Sequence, residues 1–224
     1  MEKTMKKSTP VGQGTLLVSE IFHSLQGEGP WIGLPASFVR LSGCVEPLCA
    51  WCDTPYALER GQEMAVGEIM DLLMRHSPPR VVVTGGEPFL QWESGLGELH
   101  RALREKGRAI QYETSGKVGI PPLSEALVVC SPKLVDGQWR FDPRGMERID
   151  FFKFLAGIGD WREAVKGFVE RHGIDRDRVY LMPLGATREE QLRGMGEVFS
   201  YCVEQGYRMS ARLHVLARDI ERGV

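Results

Sequence analysis

The nine residues RVVVTGGEP, at positions 80–88, constrain this chain more than any other stretch. Three consecutive valines make a β-branched run without polar alternation. Such a run suits a strand covered on both faces, as in parallel sheets. Two glycines and a proline then stop it abruptly. Parallel neighbours need long crossovers, usually helical, and the flanking segments supply them. Upstream, MAVGEIMDLLMRH puts Val66, Ile69, Met70 and Leu73 on one helical face. Downstream, the spacing predicts a helix around 93–106 with Leu96, Leu99 and Leu103 inward.

The same alternation runs through the rest of the chain. Strands are expected at 16–22, 36–41, 109–113, 126–131, 150–155 and 178–183, with a last one at RLHVL, 212–216. DWREAVKGFVERHG reads as a helix ended by Gly173. The helix that follows Thr187 opens with a capping box to Glu190 and carries an apolar stripe of Leu192, Met195, Phe199 and Cys202. This is a mostly parallel α/β sheet with helices outside. Segments 114–125 and 132–149 lack a helix pattern, so a regular eight-fold barrel is not expected. One domain over 16–224 follows a flexible lead-in, 1–15. Ligands of parallel sheets sit at the carboxyl ends of strands. The unusual polar residues fall there, in TGGE (84–87), ETSG (113–116) and SPK (131–133).

A formal net charge of −2 argues against a general nucleic-acid binder. No run of 18 apolar residues is present, so no membrane span is expected. The start lacks the apolar core of a signal peptide, which makes a cytoplasmic protein the expectation. In that compartment five cysteines point to metal, catalytic or core roles rather than disulfides.

Cys44, Cys49 and Cys52 form C-x4-C-x2-C within SGCVEPLCAWCDT, 42–54. Thiolates bind soft metals and iron–sulfur clusters. A loop with three of them can hold three irons of a 4Fe–4S cube and leave the fourth open to a non-protein ligand. A zinc knuckle completed by a distant histidine such as His23, or three unrelated loop cysteines, are the alternatives. Cys130 and Cys202 read as inert core thiols. In TGGEP, Gly85 and Gly86 let backbone groups approach a ligand, and Glu87 offers a carboxylate to an ammonium group. An amino acid-like ligand could chelate an open iron and meet this loop. Arg40, inside the apolar run FVRL, should have a partner, because burying its charge alone is expensive.

Three clustered cysteines followed one βα unit later by GGEP resemble the radical S-adenosylmethionine enzymes. In that family the methionyl amine and carboxylate chelate the unique iron. Cleavage of the sulfonium then yields a 5′-deoxyadenosyl radical that abstracts hydrogen from substrate. The usual family spacing is C-x3-C-x2-C, and here the first gap is one residue longer and contains Pro47. Further pieces narrow the resemblance: SLQGEG (24–29), G-x-P-A-x-F-V-R-L-x-G-C (33–44), WCDT (51–54), TGGEP, ETSG, SPK, FKF (152–154), MPLG (182–185) and RLHVL. Together they are similar to the 7-carboxy-7-deazaguanine synthase family of the queuosine pathway.

That resemblance implies a partial, modified (β/α) barrel. It also implies ring contraction of 6-carboxy-5,6,7,8-tetrahydropterin to 7-carboxy-7-deazaguanine with release of ammonia. The implied cofactors are a 4Fe–4S cluster on Cys44, Cys49 and Cys52, S-adenosyl-L-methionine and Mg2+. The S-adenosylmethionine would meet Gly85, Gly86 and Glu87, with Ser115, Ser131 and Lys133 near its carboxylate or ribose. Thr54 would be the Mg2+ contact. Gln26, Gly27 and Glu28 would face the N–H edge of the pterin, Arg40 its carboxylate, and His214 would be a third contact. A reducing electron donor of the flavodoxin type and a homodimer are also implied, with neither nucleic acid nor membrane as partner. A glycyl-radical-type activating enzyme and a non-catalytic zinc- or cluster-binding module are the rival readings.

Overall fold

Val81, Val82 and Val83 all go under cover, as the run RVVV requires. The computed structural model describes residues 14–59, 61–75, 78–221 and 223. Most of the expected lead-in, residues 1–13, lies outside the described residues. The chain opens with β1 (Thr15–Leu25), β2 (Pro35–Leu41) and β3 (Gln62–Ala65). It continues with α1 (Val66–Arg75), β4 (Arg80–Gly85), α2 (Gly97–Glu105), β5 (Ala109–Thr114) and β6 (Leu127–Cys130). A hairpin follows, β7 (Lys133–Val135) and β8 (Gln138–Arg140). Then come β9 (Phe151–Ala156), α3 (Trp161–His172), β10 (Val179–Pro183), α4 (Arg188–Gln205), β11 (Arg208–Met209) and α5 (Leu213–Arg218).

The main sheet has nine strands in the order β11-β10-β9-β6-β5-β4-β2-β1-β3. From β2 to β11 every pairing is parallel, while β1 pairs antiparallel with β2 and β3. Along β4 the valines divide: Val81 and Val83 join the large core beneath α1 and α2, and Val82 meets Ala36 and Phe38 on the opposite face. Val66, Ile69, Met70 and Leu73 of α1 and Leu99 and Leu103 of α2 are buried as their spacing predicts. Gly173 ends α3 in a left-handed conformation (φ 59°), and Thr187 and Glu190 form the capping box of α4. Among the described residues no helix is long and apolar enough to cross a membrane.

The sheet curls. Six strands separate β1 from β11 in the sheet order. Yet Leu213 N donates to Gly27 O at 2.8 Å, and Gly29 N donates to Ser210 Oγ at 2.8 Å. The loops after the two strands therefore meet across the mouth of an open, barrel-like half-turn.

Two expectations are corrected. RLHVL is not a strand: Leu213–Arg218 is the helix α5. The Leu213 amide is already taken by Gly27, and a short apolar run does not distinguish strand from helix. The expected stripe of α4 is also rotated. Leu192 and Phe199 are exposed at 58% and 61%, whereas Gln191, Val198, Tyr201 and Cys202 are buried. Polar anchors set this rotation. Gln191 Nε2 donates to Pro183 O and Gly185 O. The Tyr201 hydroxyl donates to Arg162 O, and its ring meets Trp161 edge-on.

Candidate active site

A cavity of about 1060 Å³ opens at the carboxyl ends of the parallel strands. Of the residues assigned from the sequence to the cluster, Mg2+, S-adenosylmethionine and substrate, all line it except Glu87. Its parts come from the β1–β2 loop, the cysteine loop after β2, the ends of β4, β5, β6 and β10, and the start of α5.

The cysteine loop leaves β2 directly and is pressed against the end of β4. Gly86 N donates to Leu41 O at 3.1 Å, and Glu87 N to Gly43 O at 2.8 Å. A Cβ on Gly86 would lie 1.8 Å from Gly43 O, and one on Gly85 (φ 131°) 2.0 Å from Leu41 O. Only glycines allow this approach. Cys44, Cys49 and Cys52 are free, half-buried thiols on the wall. Thr54 Oγ1 lies 3.8 Å from Cys52 Sγ. Burial pushes the Cys44 thiol up, against the opposing pull of a nearby amide and of Lys117. Cys130 and Cys202 are buried in the core.

His23 is no fourth ligand here. It hydrogen-bonds Ser37 Oγ at 2.9 Å and is not on the cavity wall. Among the described residues, no three His, Cys, Asp or Glu side chains converge on the position of a single ion.

Glu87 lies beneath the wall, fully buried. It accepts from Thr114 Oγ1 at 2.7 Å, Ser115 N at 2.9 Å and Phe89 N at 3.3 Å, and also from Ser115 Oγ. Four donors fill the acceptor capacity of a carboxylate. Burial still pushes its carboxyl above the usual range. Glu87, expected from the sequence to offer its carboxylate to an ammonium group, here ties the end of β4 to the end of β5. On the wall beyond, Lys133 Nζ donates to Ser131 Oγ at 2.9 Å.

The opposite end of the cavity holds a chain of charges. Lys153, on β9, is 4% exposed. It pairs with Glu28 Oε2 at 2.6 Å and with Glu113 Oε2 at 2.9 Å. Arg212 Nε reaches Glu28 Oε1 at 3.0 Å, and its NH2 group pairs with Asp53. Gln111 Nε2 and Gln26 Nε2 donate to Glu113 Oε1 at 2.6 and 3.3 Å. Burial pushes Glu28 up, but Lys153, Arg212 and His214 outweigh it and hold the carboxyl well below the usual range. Glu113 moves the other way: burial raises it, and Lys153 does not fully offset this. Burial likewise disfavours protonated His214. Its ring packs on Gly27, where a Cβ would meet Nδ1 at 1.9 Å. Arg40 has the partner its burial demands: Nε donates to Glu20 at 2.6 Å, and the guanidinium lies near the rings of Phe22 and Tyr56.

Lys153 and Arg212 were not picked out from the sequence as site residues; Glu113 stood out only as part of the polar strand end ETSG, and Asp53 only beside Thr54 as a candidate Mg2+ contact. The signal existed for Lys153. It is a lysine between the buried Phe152 and Phe154 of an apolar strand, and such a charge needs partners. Arg212 carried no comparable signal, because only folding brings it to Glu28 and Asp53.

No protein-family model matches the chain. Individual relatives do. A 7-carboxy-7-deazaguanine synthase from Pyrobaculum aerophilum is 41% identical over 219 residues, spanning 92% of this chain and 96% of that protein. A 7-carboxy-7-deazaguanine synthase from Hyperthermus butylicus is 36% identical over 236 residues, spanning 97% and 99%. The crystal structure of QueE from Escherichia coli matches with a TM-score of 0.75 at 26% identity, covering 89% of this chain and 95% of that one.

Proposed function

This chain belongs to the 7-carboxy-7-deazaguanine synthase family, and on that premise we propose that it contracts the ring of 6-carboxy-5,6,7,8-tetrahydropterin by radical S-adenosylmethionine chemistry. One observation carries the reading. Three free thiols, a glycine strand end pressed against their loop, and a buried charge chain share one cavity. When bound, the 4Fe–4S cluster and S-adenosylmethionine supply hydrogen-atom abstraction; an external reductant provides the electron.

The donor set fits these groups. Cys44, Cys49 and Cys52 would hold three irons of the cluster. The half-buried backbone of Gly85 and Gly86 on the cavity wall would receive the methionyl end, with Ser115, Ser131 and Lys133 further along the wall. Thr54 would offer one hard oxygen to Mg2+, which keeps several waters and needs few protein ligands. At the other end Glu28 is a charged acceptor suited to the N–H edge of a pterin. Gln26 and His214 flank it. Arg40, oriented by Glu20, would take the substrate carboxylate. The protein's contribution is to bind, orient and exclude water.

Anaerobic reconstitution with iron and sulfide, then turnover with product identification by mass, tests this. The expected product is 7-carboxy-7-deazaguanine. Cys44→Ala, Cys49→Ala and Cys52→Ala should each abolish S-adenosylmethionine cleavage, and Cys202→Ala should leave it intact. A fully reconstituted enzyme that forms no deazaguanine would sink the substrate assignment.

A further inference from the structure

The loop from Cys44 to Leu48 has little of its own to hold it. Among the described residues, no backbone–backbone hydrogen bond involves residues 44–48. Leu48 N donates to Glu46 Oε2 at 2.9 Å, which is a prop within the loop, and Pro47 has no N–H to give. This is the stretch that carries the extra residue between the first two cysteines.

Lys117, some 70 positions further along the chain, reaches into it. Its ammonium donates to Pro47 O at 2.6 Å and to Val45 O at 3.1 Å, and lies 3.9 Å from Cys49 Sγ. An ammonium has three donors, and all three have a target here. The lysine is itself anchored. Lys117 N donates to Ser115 Oγ at 3.3 Å, and Ser115 N is held by Glu87 at 2.9 Å. Glu87, Ser115 and Lys117 thus form a bracket that runs from the end of β4, through the turn after β5, to the cysteine loop.

We propose that Lys117 is the positioning residue of the cysteine loop, bracing the Val45 and Pro47 carbonyls and presenting an N–H to the Cys49 sulfur. The electrostatic half of this rests on the cluster reading above. A hydrogen bond and a positive charge at a ligand sulfur stabilise the more negative, reduced state of a cluster and raise its potential. The bracing half concerns the polypeptide alone.

The test uses the full chain with Lys117→Met and Lys117→Arg. Amide hydrogen exchange is measured on cluster-free protein at Gly43, Cys52 and Glu87, the hydrogen-bonded amides at the ends of the loop. Loss of a charge-assisted brace should speed it at least about tenfold in Lys117→Met, while Lys117→Arg, which keeps charge and donors, stays close to the parent. On reconstituted protein the midpoint potential should fall in Lys117→Met and hold in Lys117→Arg. Equal exchange in parent and Lys117→Met overturns the brace. An unshifted potential overturns the contact with sulfur. Should Lys117→Met fail to fold, Lys117→Gln takes its place in both measurements. If the parent binds no cluster, the cluster reading fails, and the exchange result still decides the brace.

Discussion

At Lys153, strand β9 breaks its own apolar pattern. A buried ammonium is tolerable only among carboxylates, and Glu28 and Glu113 provide them. Replacing Lys153 with Met would strand two buried carboxylates. We expect a loss of about 3–5 kcal/mol, read from urea unfolding, with part of it recovered in Lys153→Met combined with Glu113→Gln. A loss no larger than that of an exposed pair would show that water already reaches these charges. Glu28 also sets a pH dependence. Its folded carboxyl is held below its ordinary value of 4.5. The stability it contributes is therefore full above that value and fades as pH falls beneath it. The gap in unfolding midpoint between parent and Glu28→Gln should be widest at neutral pH and narrow below about pH 4.5. A gap that holds constant into acid would refute the assignment. Of these residues, Glu28 was legible in QGEG. Lys153 was legible only in hindsight, through its apolar neighbours.

Among the elements, two glycines with opposite surroundings make a matched pair of tests. Gly196 lies within α4 with nothing near a would-be Cβ, so Gly196→Ala should stabilise the protein by about 0.5–1 kcal/mol. Gly86→Ala meets Gly43 O at 1.8 Å. It should push the strand end off the cysteine loop, lowering both the unfolding midpoint and the iron content after reconstitution. An unchanged iron content would mean the loop tolerates the shift. The elements themselves were mostly legible. RVVV, the face of α1 and the capping box of α4 carry local signals strong enough to survive folding. Two readings failed where the deciding contacts are distant. The rotation of α4 follows Gln191 and Tyr201, whose partners lie on β10 and α3. The final helix follows a backbone bond to Gly27.

For the whole molecule, the cavity is where stability and function meet. Ligands that bind only the folded state add stability by mass action. Reconstitution of the cluster, and then S-adenosylmethionine at about a hundred times its dissociation constant, should raise the melting temperature by roughly 5–10 °C. The S-adenosylmethionine increment should vanish in Cys49→Ala. An equal increment in that variant would place the nucleoside away from the thiols. The cavity was half legible from sequence: the motifs that line it announce themselves, but the charges joining its two ends do not. Those charges have a consequence in time. Glu28 and Arg212 stand 184 positions apart, and the loops they occupy, after β1 and β11, meet across the curled sheet. During synthesis the cysteine loop and the first half of the wall emerge long before the residues that complete the mouth. Contacts of such separation form late. The Glu28–Arg212 end of the pocket thus closes late, and the nascent chain carries its three thiols in an unfinished vessel until residues 212 and 213 arrive.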